Sequence, residues 1–168
     1  MDLELKKVNF YEAFSEETNA FTAEIYYKGK KVGEAKNDGQ GGSTHVYSLP
    51  NTKDAFKQAE QYALGLPPFE IKSKFTDNGT FTITSDLETQ VDDLFEKWLT
   101  INLYKKYFNK GLVYKDGNDN VQVVGWGSKN TISKMLKSNA GIEAIQVTAN
   151  RLEKEGCVIL NTNLEGII

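Results

Sequence analysis

The residues best equipped for chemistry gather in Asn37-Asp38-Gly39-Gln40-Gly41-Gly42-Ser43-Thr44-His45. Three glycines in four positions allow backbone conformations closed to β-branched residues, and consecutive N–H groups in such a loop can turn toward an anion. His45 is the only histidine in the chain, and a lone imidazole near neutral pKa could act as a general base. The supporting groups are missing from the pattern. A phosphate-binding loop needs Lys and then Ser or Thr after its last glycine, whereas Gly42 is followed by Ser43 and Thr44. No Gly-x-Ser-x-Gly surrounds Ser43, and no dinucleotide-binding glycine spacing occurs. The loop therefore reads either as a ligand or partner surface, with Asn37, Asp38, Gly41, Gly42, Ser43, Thr44 and His45 as its binding residues, or as an irregular connection between strands.

Other reactive types are sparse. Asp86, Glu88, Asp92, Asp93 and Glu96 form an acidic run, which stabilisation of a helix start and solvation explain without a metal. One cysteine, Cys157, excludes an internal disulfide and a cysteine-rich zinc site; its apolar neighbours Val158, Ile159 and Leu160 mark it as a core residue. No metal or cofactor is expected. In Tyr104-Lys105-Lys106-Tyr107-Phe108-Asn109-Lys110, continuing to Lys115, lysines alternate with aromatics. Such a mixture can hold phosphates and stack bases, and it equally describes a solvated helix end. Trp126, between Gly125 and Gly127, suits a docking aromatic or a lid on the core.

These groups need a scaffold, and the 168 residues suffice for one buried core. Hydrophobic residues at 39% support a packed interior. There is no long apolar run and no basic-then-apolar leader, so no membrane association and a cytoplasmic location are expected. The net charge of −3 is unevenly laid out, because residues 101–138 hold seven lysines against two acids. A segregated charge of this kind can steer a partner.

The patterning predicts a strand from Leu3 to Phe10 and a hairpin, Phe21–Tyr27 and Lys31–Lys36 about Lys28-Gly29-Lys30. Asn51 or Thr52 can cap a helix over Lys53–Leu64, which Gly65 and Pro67-Pro68 stop. Between Phe69 and Thr84, Asp77-Asn78-Gly79 suggests a second hairpin. Ser85-Asp86-Leu87-Glu88 reads as a capping box opening a long helix to about Asn109, with Phe95, Trp98 and Leu99 turned to the sheet. A third hairpin, Leu112–Tyr114 with Val121–Val124, precedes helices near Thr131–Lys137 and Ile142–Glu155 and a strand Cys157–Leu160. The expected fold is α+β: one domain over residues 1–168, an antiparallel β-sheet with an N-terminal hairpin packed against a long central helix, and two C-terminal helices.

Phe21 to Gly33, then Ala35 and Asn37-Asp38-Gly39-Gln40-Gly41-Gly42-Ser43-Thr44, carry the run Gly29-Lys30-Lys31-Val32-Gly33 with Asn37-Asp38-Gly39 and Gly41-Gly42. This stretch resembles small uncharacterised proteins of bacteriophages and prophages. The likeness covers about residues 15–47, with a vaguer echo in Ile159-Leu160-Asn161-Thr162-Asn163. It implies a mobile-element origin and no catalytic residues. The expected function is that of a non-enzymatic phage protein binding a host protein or ribonucleoprotein complex, most sharply an anti-CRISPR type inhibitor of a defence nuclease. Lys105, Lys106, Lys110, Lys115 and Trp126 join the loop as candidate binding residues, direct nucleic acid being the secondary partner. The alternative is a nucleotide-binding protein or small hydrolase built on Gly39–His45.

Overall fold

A computed structural model of the chain describes residues 2–72 and 79–168. The fold is α+β, as the patterning predicts, with two compact units, Met1–Trp98 and Leu99–Ile168.

In the first unit β1 (Leu3–Phe10), β2 (Phe21–Tyr27), β3 (Lys30–Asn37) and β4 (His45–Ser48) form an antiparallel sheet in chain order. Alternation along β2 turns Phe21, Ala23, Ile25 and Tyr27 inward and leaves Thr22, Glu24 and Tyr26 half-buried on the other face. On that second face Lys7 and Lys31 both pair with Glu24, and Lys31 also pairs with Glu34. Lys31 is consequently pushed up to about 12 by hydrogen bonds to the two carboxylates.

Helix α1 (Lys53–Leu64) covers the inner face with Phe56, Ala59 and Ala63. Gly33 permits this close approach, since a Cβ there would stand 2.7 Å from the Phe56 ring. Neither expected side-chain cap forms at the start of α1. Thr52 Oγ1 accepts from Leu49 N at 3.0 Å and donates to the Val32 carbonyl, so its hydroxyl ties the helix start to β3. The hairpin after α1 is present as β5 (Phe69–Lys72) with β6 (Thr80–Ile83); its expected turn residues Asp77 and Asn78 lie outside the described residues.

Helix α2 (Leu87–Tyr104) follows, and its cap differs from the expected box by one residue. Asp86 Oδ1 accepts from Thr89 N at 2.8 Å while Thr89 Oγ1 accepts from Asp86 N at 2.9 Å, and the Asp86 carbonyl takes the first helical bond from Gln90. Ser85 is buried instead. Its hydroxyl donates to the Ala63 carbonyl at 2.7 Å and accepts from Gln90 Nε2 at 2.9 Å, which joins the end of α1 to the start of α2. Phe95 stacks on Phe21 with centroids 3.9 Å apart, locking α2 to the sheet. Trp98 and Leu99, expected in the core, are only partly buried. The α-helix also ends sooner than Asn109, in a 3-10 turn over Lys105–Tyr107 closed by Phe108 N bonding to the Lys105 carbonyl.

The second unit is built on β7 (Leu112–Lys115), flanked by β8 (Val121–Val124) and β9 (Val158–Ile159). Helices α3 (Ile132–Met135) and α4 (Asn139–Lys154) supply Ile132, Ile145, Ala149 and Leu152 to a core shared with Leu112 and Leu164. Cys157 packs partly buried on that cluster, as its apolar neighbours predict. No helix of the described residues is long and apolar enough to cross a membrane.

Candidate functional site

The glycine-rich loop joins β3 to the edge strand β4, and one side chain organises it. Asn37 is buried; its Oδ1 accepts from Gly39 N at 2.9 Å and from Thr18 Oγ1 at 3.0 Å, while its Nδ2 donates to the Gly42 carbonyl and to Thr44 Oγ1. Three of the four hydrogen bonds of that amide are directed into the loop, and the fourth ties it to Thr18 ahead of β2. Gly41 N donates to Thr18 Oγ1 at 3.3 Å. Two of the N–H groups that the sequence offered to an anion, those of Gly39 and Gly41, are thus spent inside the protein, which leaves fewer of them for a phosphate cradle. The Gly39 carbonyl in turn accepts from the backbone N–H of Glu16, Glu17 and Thr18 at 3.0–3.3 Å. With φ of +83° and the Phe14 carbonyl against its Cα, position 39 admits only glycine without strain.

Beside the loop lies a cleft of about 290 Å³ lined by Asn37, Gly42, Ser43 and Thr44 together with Thr18, Asn19, Phe21, Asp92, Phe95 and Glu96. Thr44, buried, donates its hydroxyl to Asp92 Oδ1, and Asn19 Nδ2 donates to Glu96 Oε1 at 2.7 Å. Burial pushes the Asp92 carboxyl above its ordinary range, against the opposing pull of the Thr44 hydrogen bond. The sequence pattern alone explains Asp92 and Glu96, within their acidic run, by helix-start stabilisation and solvation. Their four-residue spacing, with buried Phe95 between, was the available sign that they share a helix face. Among the described residues no three His, Cys, Asp or Glu side chains are arranged to hold a metal ion.

His45 and Asp38 stand apart from this cleft. His45 is exposed at the first position of β4, opposite Lys36, and its ring neighbour is Tyr47 at 6.3 Å. Asp38 is exposed and pairs with Lys36 at 2.7 Å. Neither forms a base–acid couple with the other, and among the described residues no carboxylate is placed to orient the His45 ring.

The remaining candidates belong to the second unit. Lys106 and Lys110 lie 5.2 and 5.0 Å from the centre of the Tyr107 ring, one cationic pair on a single aromatic, with Tyr104 6.4 Å away. Lys105 is exposed and Lys115 half-buried on β7. Two asparagines hold this segment in place. Asn161 is buried, donates to the Phe108 and Gly111 carbonyls at 3.2 Å and accepts from Val113 N at 2.7 Å. Asn109 accepts from Ser133 N and Oγ at the start of α3. Trp126 takes the second of its two expected places: it packs partly buried on the Leu112–Ile132 cluster, its carbonyl accepting from Asn130. Among the described residues every ion pair within 4 Å falls in the first unit, so none engages the cations of residues 99–168.

Comparison of the chain with protein-family models, curated proteins and solved structures yields no match.

Proposed function

We propose that the chain is a non-enzymatic binding protein that engages a host macromolecule through the Lys105–Lys115 segment, and that the macromolecule is a protein or ribonucleoprotein complex. The carrying observation is the Tyr107 ring flanked by Lys106 and Lys110, in a unit whose cations have no acidic partner among the described residues. Unpaired exposed cations over an aromatic suit an anionic surface, since they attract at long range and offer a stacking plane on contact. The resemblance of residues 15–47 to bacteriophage and prophage proteins supports the sharpest form of the reading, inhibition of a bacterial defence nuclease such as a CRISPR effector, whose bound RNA presents phosphates. The test is capture of the tagged chain with a bacterial defence ribonucleoprotein, followed by association kinetics. Lys106→Glu with Lys110→Glu should slow association and flatten its salt dependence, whereas His45→Ala should leave inhibition intact. An association rate indifferent to both lysines and to ionic strength rejects the reading; loss of inhibition in His45→Ala returns the protein to the enzymes.

A further inference from the structure

We infer that the turn between β1 and β2 is a second docking surface, of opposite charge, built to receive an arginine-rich segment of a partner protein. Tyr11 and Phe14 meet edge to face at 6.4 Å and are 42% and 66% exposed, an unusual outlay of aromatic surface. They line a groove of about 490 Å³ whose other walls include Glu16, Ala20, Asp38 and Gln40. Residues 8–27 contain Glu12, Glu16, Glu17 and Glu24 and no Lys or Arg. Among the described residues Glu12, Glu16 and Glu17 take part in no ion pair, and the cation that lines the groove, Lys36, is already held by Asp38 at 2.7 Å. The unpaired Glu16 in that groove, with Glu12 and Glu17 close by in the same turn, selects beside the exposed rings a partner that is cationic and planar at once. Guanidinium groups meet both demands, stacking on Tyr11 and Phe14 while bonding the carboxylates in a fork.

The surface is also held ready. Ser15 Oγ donates to the Tyr11 carbonyl and accepts from Ala20 N, and the Tyr11 and Ala20 backbones bond directly. Three successive N–H groups from Glu16 to Thr18 converge on the Gly39 carbonyl, so the glycine-rich loop serves as the mount for this acidic aromatic turn. A turn fixed before binding loses little conformational entropy on contact.

The experiment is fluorescence anisotropy of a labelled octa-arginine peptide with the full chain. Saturable binding is expected, weakened about fivefold by the charge-neutral change Phe14→Ala and about threefold by Glu16→Gln with Glu17→Gln. Phe14 is largely exposed, so its removal should leave the melting temperature unchanged, and this is checked on the same samples. Lys106→Glu with Lys110→Glu should not weaken the peptide, which separates this surface from the Lys105–Lys115 segment. Absence of binding, or binding indifferent to Phe14→Ala, overturns the inference by reducing the effect to diffuse acidity. A dimer in sedimentation that Phe14→Ala dissolves also overturns it, because the occupant would then be a second copy of this chain.

Discussion

Asn37 and Asp92 show how one side chain can determine the behaviour of a site. Asn37 makes four hydrogen bonds from a buried position, and no residue of similar size offers both two donors and an acceptor there. Asn37→Ala should cost about 1–3 kcal/mol, since the Gly39 N–H and the Thr18 and Thr44 hydroxyls lose a partner in a buried setting. Urea denaturation measures the cost, and an unchanged midpoint would mean that the loop closes without its amide. Asp92 makes a signed prediction about pH. Its carboxyl is raised by burial above the unfolded value of 3.8, so between the two values the folded chain binds the extra proton. Stability contributed by this group is therefore greatest in acid and falls as pH rises through that window, leaving a deficit at neutrality. Asp92→Asn keeps an acceptor for the Thr44 hydroxyl and removes the titration. The variant should denature later than the parent at neutral pH, with the gap closing once the pH drops below the ordinary carboxylate range. A variant less stable than the parent at neutrality would show that the Thr44 bond outweighs desolvation.

At the scale of elements, Ser85 and Asp86 exchange the roles that the spacing Ser85-x-x-Glu88 implies. Asp86 satisfies the free N–H of the third helical turn position and Thr89 returns the bond, so Asp86→Ala should cost about 1 kcal/mol. Ser85→Ala should cost a comparable or larger amount, about 1–3 kcal/mol, for a different reason: the Gln90 amide loses its acceptor in the buried junction of two helices. Helicity measured by circular dichroism alongside denaturation separates the two, because only the cap variant should fray α2. Phe95 is the larger anchor. With 1% exposure and a stacked contact to Phe21, its replacement by Ala should cost about 3–5 kcal/mol and release α2 from the sheet. In the second unit, Asn161→Ala should loosen the 3-10 turn at Lys105–Tyr107, since three backbone groups lose the side chain that gathers them. Faster amide exchange at Val113 would report it; unchanged exchange there would assign the hold to Asn163, whose Nδ2 also donates to the Phe108 carbonyl at 3.5 Å, and to Asn109 instead.

Across the whole molecule, charge divides with the structure. Residues 1–98 carry eleven basic and seventeen acidic side chains, net −6, and residues 99–168 carry nine and six, net +3. The first unit also pairs many of its lysines, while the second leaves its cations without ion pairs among the described residues. The binding to a host macromolecule proposed above draws on this division. Reversing Lys106 and Lys110 should change the association rate by more than the dissociation rate, because exposed charges act chiefly on encounter. Stopped-flow association at two ionic strengths decides this, and a change confined to dissociation would relocate the energetic contact to the Tyr104–Tyr107 aromatics.

The alternation of Phe21, Ala23, Ile25 and Tyr27, the helical spacing of Phe56, Ala59 and Ala63, and the turn about Gly29 determined strands and helices locally, because each rests on a period of two or 3.6 within a few residues. The charge layout was equally legible, being a property of order alone. What tertiary structure decided were the contacts across long separations. Thr44 reaches Asp92 48 positions away, Asn161 reaches Val113 48 positions away, and Asn19 reaches Glu96 77 positions away. A periodic pattern shows which face of an element is buried but not which polar group waits on the other side, so the glycine-rich loop read equally as a ligand surface or a connection, while folding spent its Gly39 and Gly41 N–H groups on Asn37 and Thr18. The hydroxyl of Ser85 was claimed in the same way, by a carbonyl 22 residues earlier that no local rule could name.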